Sequence, residues 1–249
     1  VITVLALSGL KLAIHWTRLE FLTLNALFTS AIAAAVFIIG FLLSSVLADY
    51  KEAERMPAEL RVSLEAIYDD TRVFARRGQF DAEPVRGILV GIVEELHASL
   101  DRKGDPNLKA VIAKVDALTD QLADLETAGM PPNYIVRLRA EQGTIRRCVF
   151  RIYHIQRIQF VPSVHVLVQT IVLATVLLLL FLKTEGSPES ALIFGAITYM
   201  FTYALHLVST LEQPFRRNHR SLDDVSLFLL REFAEKVGTG SEGAHRRAL

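Results

Sequence analysis

Cysteine is almost absent from this sequence: of 249 residues only Cys148 carries a thiol, so the chain cannot close an intramolecular disulfide. Followed by Val149 and Phe150, it reads as a small packing residue rather than a reactive one. Net charge is also missing. Lys and Arg number 27, Asp and Glu number 27, and nothing global argues for a nucleic-acid partner. Enzyme signatures are missing too: no HExxH, no GxxxxGK[ST], no GxGxxG after a strand and no GxSxG. The seven histidines do not cluster with carboxylates at ligand spacing, so neither a metal nor a cofactor is expected. No nucleophile, base and oxyanion donor come together, and no repeat of 20–50 residues is visible. Strand-like alternation is absent as well, which leaves an all-α chain.

What is present is apolar residue in blocks. Hydrophobic residues make up 51% of the chain while 22% are charged, and the mean hydropathy is +0.34. Both values hold together only if the two kinds are segregated. A helix needs about 20 apolar residues to cross a bilayer. The segment Val1 to Trp16, interrupted by Lys11 and His15, reads as the remainder of a spanning helix whose start lies upstream. Phe21 to Leu47 has no charge at all and ends at Asp49. Val164 to Leu182 and Ala191 to Leu211 complete four expected transmembrane helices. Gly186 and Pro188 sit in a short connector, so the last two form an antiparallel hairpin. Arg146, Arg147, Arg151 and Arg157 precede that hairpin, and Arg216, Arg217 and Arg220 follow it, which places both of its ends in the cytosol. His165 and His206 lie in the apolar segments. Packing or an interhelical hydrogen bond is the plain reading of each, a functional role the sharper one.

Four parts follow: 1–50 with the first two membrane helices, 51–160 as a helical water-facing region, 161–212 with the hairpin, and 213–249 as a C-terminal segment. Between Tyr50 and Phe160, apolar residues recur at helical spacing, as in Leu60, Leu64, Ile67 and Phe74, and from Leu108 to Leu125. About four amphipathic helices are expected. Asp81 before Glu83-Pro84 marks a start; Lys103 to Pro106 and Gly129 to Pro132 mark breaks. The region is either a separate soluble four-helix domain or an extension of the membrane helices. Only Pro57 and Gly78 interrupt the helical pattern leaving the second segment, which favours extension. The tail after Gly238 reads as disordered.

On the second segment, Ala33, Phe37 and Phe41 fall at i, i+4 and i+8 on one helix face. Small neighbours, Ala31, Ala34, Ala35 and Gly40, permit close helix approach. Such a face either packs or meets lipid, or in a symmetric oligomer lines an apolar constriction that gates by dewetting. Phe ring edges carry partial positive charge and favour an anion.

Three stretches in order resemble the bestrophins: Ile39 to Met56 running on to Ser63 to Arg76, Gln159 to Thr170 with Pro162 opening a helix, and Glu212-Gln-Pro-Phe215 followed by Leu222 to Leu230. The resemblance implies a homopentamer of multi-pass subunits in the plasma (inner) membrane, with residues 51–160 and the C-terminus cytosolic. It implies passive conduction of chloride or another small anion along a central pore. On it, Ala33, Phe37 and Phe41 match the apolar neck. Ala33 is smaller than the residue usual there. Ile135 is the guess for a lower aperture, and Leu211 to Lys236 is expected to wrap a neighbouring subunit. Animal bestrophins follow the Pro-Phe step with acidic residues that clasp calcium; here Arg216 to Arg220 follow Phe215, so calcium activation through that site is not expected. The alternatives are a cation-selective channel of the same fold, a non-conducting scaffold or sensor, and a secondary transporter, which would show internal repeats and broken helices.

Overall fold

The computed structural model describes residues 2–78, 80–101, 107–157, 162–184, 188–212, 214–215 and 224–245. Among the described residues eight helices run in order: α1 Ile2–Trp16, α2 Ala26–Ala75, α3 Glu83–Asp101, α4 Leu108–Thr127, α5 Pro132–Arg157, α6 Pro162–Leu180, α7 Pro188–Leu211 and α8 Phe228–His245. Among the described residues the one extended pairing is an isolated bridge between Leu22 and Leu182. The architecture is all-α, as the lack of alternation requires. Arg216 to Arg220, Asp223 and the His165 side chain lie outside what is described.

The chain divides into two compact units, Val1–Tyr50 with Gln159–Glu212, and Lys51–Ile158 with Gln213–Leu249. Helix α2, 50 residues with Pro57 inside it, passes from one into the other. At 1.5 Å per residue it is about 75 Å long.

The first unit is built on an apolar core. Its core joins Ile14, Phe28, Ala35, Ile39, Val168, Val172, Val176, Leu179 and Phe201. On α6 the positions 168, 172, 176 and 179 recur at helical spacing and make one packing stripe. On α2 the stripe runs Phe28, Ile32, Ala35, Ile39, Leu42 and Val46, alternating steps of four and three. Gly195 of α7 lies against Ser8 of α1, a small-on-small crossing. Two helices, α2 and α7, are long and apolar enough to cross a membrane; α1 and α6 are apolar but shorter. A buried core helix of a soluble protein passes the same length test, and exposure separates the cases. Only 17% of the apolar window of α2 and 22% of that of α7 is buried. Leu5, Leu12, Leu167, Leu173, Leu192, Ile193 and Met200 all stand exposed. Water does not tolerate so continuous an apolar surface, and this is a membrane protein.

The second unit has the alternation of apolar and charged faces that water requires. On α4 the buried residues are Val111, Val115, Leu118, Leu122 and Leu125. Asn107 caps its start by accepting from the Ala110 N–H. Gly129, at φ 89°, ends it in the left-handed region that favours glycine. The Asp81 carboxylate accepts from the Glu83 N–H at the start of α3. Between α4 and α5, Gln142 donates to the Val115 carbonyl (2.7 Å) and to Thr119 Oγ1 (2.9 Å), a buried polar tie with its partners in place.

Helix α8 brings one difference from expectation. Leu230, Phe233 and Val237 are buried within this chain, Phe233 meets the Tyr68 ring edge-on, and Arg61 of α2 pairs with Glu232 at 2.5 Å. From Phe228 onward this segment therefore buries Leu230, Phe233 and Val237 on its own subunit and leaves Phe228 exposed. The helical backbone also continues to His245, past Gly238, where a disordered tail was expected. Glycine in a helix costs about 1 kcal/mol relative to alanine, a penalty and not a stop.

Candidate functional site

The buried stripe of α2 decides which residues of that helix are left without a partner. At 100° per residue, Phe37 lies about 180° from the mean direction of Phe28, Ala35, Ile39 and Val46. Phe37 is 73% exposed and Phe41 68%, and Ala33 is exposed beside them. The three sit on one face, as the i, i+4, i+8 spacing dictates, and that face points away from the rest of its unit.

The composition of this face sets it apart. Within about 60° of Phe37 on a helical projection, from position 30 to 48, stand Ser30, Ala33, Ala34, Phe37, Gly40, Phe41, Ser44 and Ala48, all exposed. Two aromatic rings project from a strip of small and hydroxyl residues. The lipid-type surface elsewhere in the unit is bulky and aliphatic: Leu5, Leu12, Leu173, Leu192, Ile193. A strip of Ala, Gly and Ser suits close approach of another helix backbone, while two rings one helical turn apart would narrow any axis they share.

Ile135 does not belong to such a surface. It is 5% exposed and faces the core of the second unit in the single chain. A pore-lining side chain must be open in the single subunit, and at the start of α5 it is Tyr134 and Val136 that are exposed. A single residue step, about 100° around the helix, separates the inward Ile135 from the outward Val136. Beside them a cavity of about 110 Å³ is lined by Asp70, Val73, Phe74, Arg77, Met130, Pro131 and Tyr134.

A larger cavity of about 1050 Å³ lies in the second unit between α2, α5 and the start of α4. Its lining includes Glu52, Glu59, Arg147, Arg151 and His154. Arg151 is bonded to Glu52, and that hydrogen bond holds the Glu52 carboxyl below its ordinary value against the opposing effect of burial. Cys148, on the same wall, is buried, and burial, with Glu59 nearby, pushes its thiol up to about 11. It is an inert packing residue at neutral pH. No cluster of three His, Cys, Asp or Glu capable of holding a metal occurs among the described residues.

Sequence reasoning missed one group. Lys11, in the middle of apolar α1, is 4% exposed. Its Nζ donates to Glu20 Oε1 (2.6 Å) and to the carbonyls of Leu180 (3.1 Å) and Leu182 (2.5 Å). Glu20, in the turn between α1 and α2, also accepts from His15 Nδ1 (3.1 Å), the Thr184 N–H (3.2 Å) and Thr184 Oγ1 (3.1 Å). Burial opposes ionisation of Glu20, but the bonds from Lys11, His15 and Thr184 outweigh it and lower its pKa to about 2. The signal was available. Glu20 is the one carboxylate before Asp49, and a lysine in an apolar helix needs a partner.

No family model and no curated protein matches the chain. Solved structures do. A bacterial bestrophin homologue from Klebsiella pneumoniae superposes with a TM-score of 0.80 at 15% identity, covering 95% of each chain. A single-substitution variant of the Klebsiella homologue gives a TM-score of 0.78 at 15% identity, with 95% of each chain covered. A further solved membrane protein gives 0.82 at 14% identity, covering 95% of this chain and 96% of its own. The class is thereby defined: this chain has the all-α bestrophin fold over nearly its whole length. At such low identity the likeness is one of fold, and the lack of a matching family model accords with wide divergence in sequence.

Proposed function

We propose that the protein is a bestrophin-type ion channel subunit that assembles as a homopentamer and conducts chloride or another small anion down its gradient. The observation that carries this reading is the unpartnered face of α2: two exposed phenylalanines, Phe37 and Phe41, on a strip of Ala, Gly and Ser. Five copies of that strip around one axis bring small residues together and turn the rings inward. Ala33 then forms the widest of three apolar rings. Ions shed part of their hydration at the phenylalanine rings, whose positive edges favour an anion. No bound cofactor or metal takes part, and the chemistry is transport, not catalysis. Basic residues at both ends of the α6–α7 hairpin put the second unit in the cytosol and the α1–α2 and α6–α7 turns outside, in a multi-pass protein of the plasma (inner) membrane.

A chloride-flux assay on the purified full chain in liposomes tests it. Uptake above protein-free vesicles, increased severalfold by Phe37→Ala with Phe41→Ala, is the expected result. Pentameric protein without flux would favour a non-conducting scaffold. Flux of potassium in place of chloride would make it a cation channel of the same fold.

A further inference from the structure

The group around Lys11 and Glu20 sits where α1 ends, α6 ends and α2 begins. We infer that Lys11 and Glu20 are positioning residues for the pore helix, a buried ionic latch that fixes where α2 starts and so where Phe37 and Phe41 stand. The inference rests on reading α2 as the pore helix.

Three observations carry it. First, the latch is complete. An ammonium has three donors, and Lys11 uses them on Glu20, Leu180 O and Leu182 O. Glu20 receives four bonds, from Lys11, His15 and two atoms of Thr184. A buried ion pair is tolerated at this level of satisfaction and is costly if one partner is lost. Second, it holds more than a helix end. Lys11 alone would satisfy the carbonyls at and just past the end of α6. Glu20 adds the turn, and the backbone seals it: the Leu22 N–H donates to the Phe181 carbonyl (3.1 Å) and the Lys183 N–H to the Leu22 carbonyl (2.7 Å). Third, the turn leads straight into the pore helix. Asn25 Oδ1 accepts from the Phe28 N–H at 2.8 Å and the Asn25 carbonyl from the Thr29 N–H at 3.0 Å, capping α2. From that cap Phe37 and Phe41 lie about 18 and 24 Å along a stiff helix. Rotation or shift allowed at the cap is delivered to the rings.

The test uses the full chain in liposomes, with Lys11→Met, Glu20→Gln, the double variant Lys11→Met/Glu20→Gln, and the milder Thr184→Val. Chloride flux per folded oligomer is read with thermal stability. In parallel, each change is combined with Phe41→Cys, and the rate of modification by a charged methanethiosulfonate reagent is measured. The double variant is expected to regain much of the stability lost by either single change, because no unpaired charge remains. A purely structural pair would then regain wild-type flux as well. A positioning pair leaves flux and the Phe41→Cys modification rate each at least threefold away from their values in the intact latch, and Thr184→Val moves both in the same sense. Flux and modification rates unchanged in the double variant and in Thr184→Val would overturn the inference. If the double variant does not fold, Thr184→Val decides. If the unaltered protein carries no flux, the channel reading fails by itself, and the modification rates still decide whether the latch sets the position of α2.

Discussion

Arg151 on α5 holds Glu52 on α2 through two parallel hydrogen bonds, Nε to Oε1 at 2.9 Å and Nη2 to Oε2 at 2.5 Å. Both side chains are 39% exposed, so water screens the pair despite its bidentate geometry. Arg151→Met or Glu52→Gln is expected to cost about 0.5–1 kcal/mol in chemical denaturation of the second unit. The Glu52 carboxyl is held below its ordinary value, so its contribution is present above that value and is lost as pH falls through the lowered one. An acid titration of stability should lose this increment in Glu52→Gln.

Phe37 and Phe201 should respond in opposite ways. Phe201 is 2% exposed in the core of the first unit, and Phe201→Ala is expected to cost about 3–5 kcal/mol. Phe37→Ala removes an exposed ring and should leave subunit stability within about 0.5 kcal/mol, while raising unitary conductance. Thermal unfolding beside single-channel recording separates the two. A large loss of stability in Phe37→Ala without a change in conductance would place the ring in packing.

Ile135→Ala tests the inward placement of this side chain at the start of α5. A residue 5% exposed should cost about 2–5 kcal/mol on truncation, with conductance per folded channel unchanged. Val136, 69% exposed, should behave in the reverse manner if the outward face of α5 meets the ion path. Denaturant titration and bilayer recording of both variants give the comparison.

Glu20 sets an acid limit on the membrane unit. Its pKa falls from an ordinary 4.5 to about 2 in the folded protein. The folded state therefore binds fewer protons between those values than the unfolded one. The stabilisation is fully present above about pH 4.5 and disappears as pH falls toward 2. A melting series across that window should show a fall in Tm for the unaltered protein that is shallower in Glu20→Gln. Above pH 5 the latch should show no pH dependence arising from Glu20.

Much of this fold is legible in the sequence because local signals agree with one another. The run from Phe28 to Phe74 keeps one helical period while its composition changes from apolar to charged, and α2 accordingly continues through Asp49 and Pro57. Asp81 and Glu83-Pro84 open α3, and Gly129 with Pro132 separates α4 from α5, because cap and φ preferences act within a few residues. What periodicity does not fix is the direction of a short amphipathic turn. Ile135 and Val136 are both apolar, and only the packing of α5 turns one inward. The Lys11–Glu20 pair joins a helix interior to a turn nine residues on and to the end of α6, some 170 residues away. That contact belongs to tertiary structure. The extent of α8 past Gly238 was hidden by composition, since Gly and Ser weaken a helix without forbidding one.

The reversal potential of the purified protein in a planar bilayer under a KCl gradient tests the central claim most directly. A reversal near the chloride equilibrium potential, with conductance raised by Phe37→Ala/Phe41→Ala, is the predicted result. A reversal at the potassium potential, or no current from protein shown to be pentameric, would contradict it.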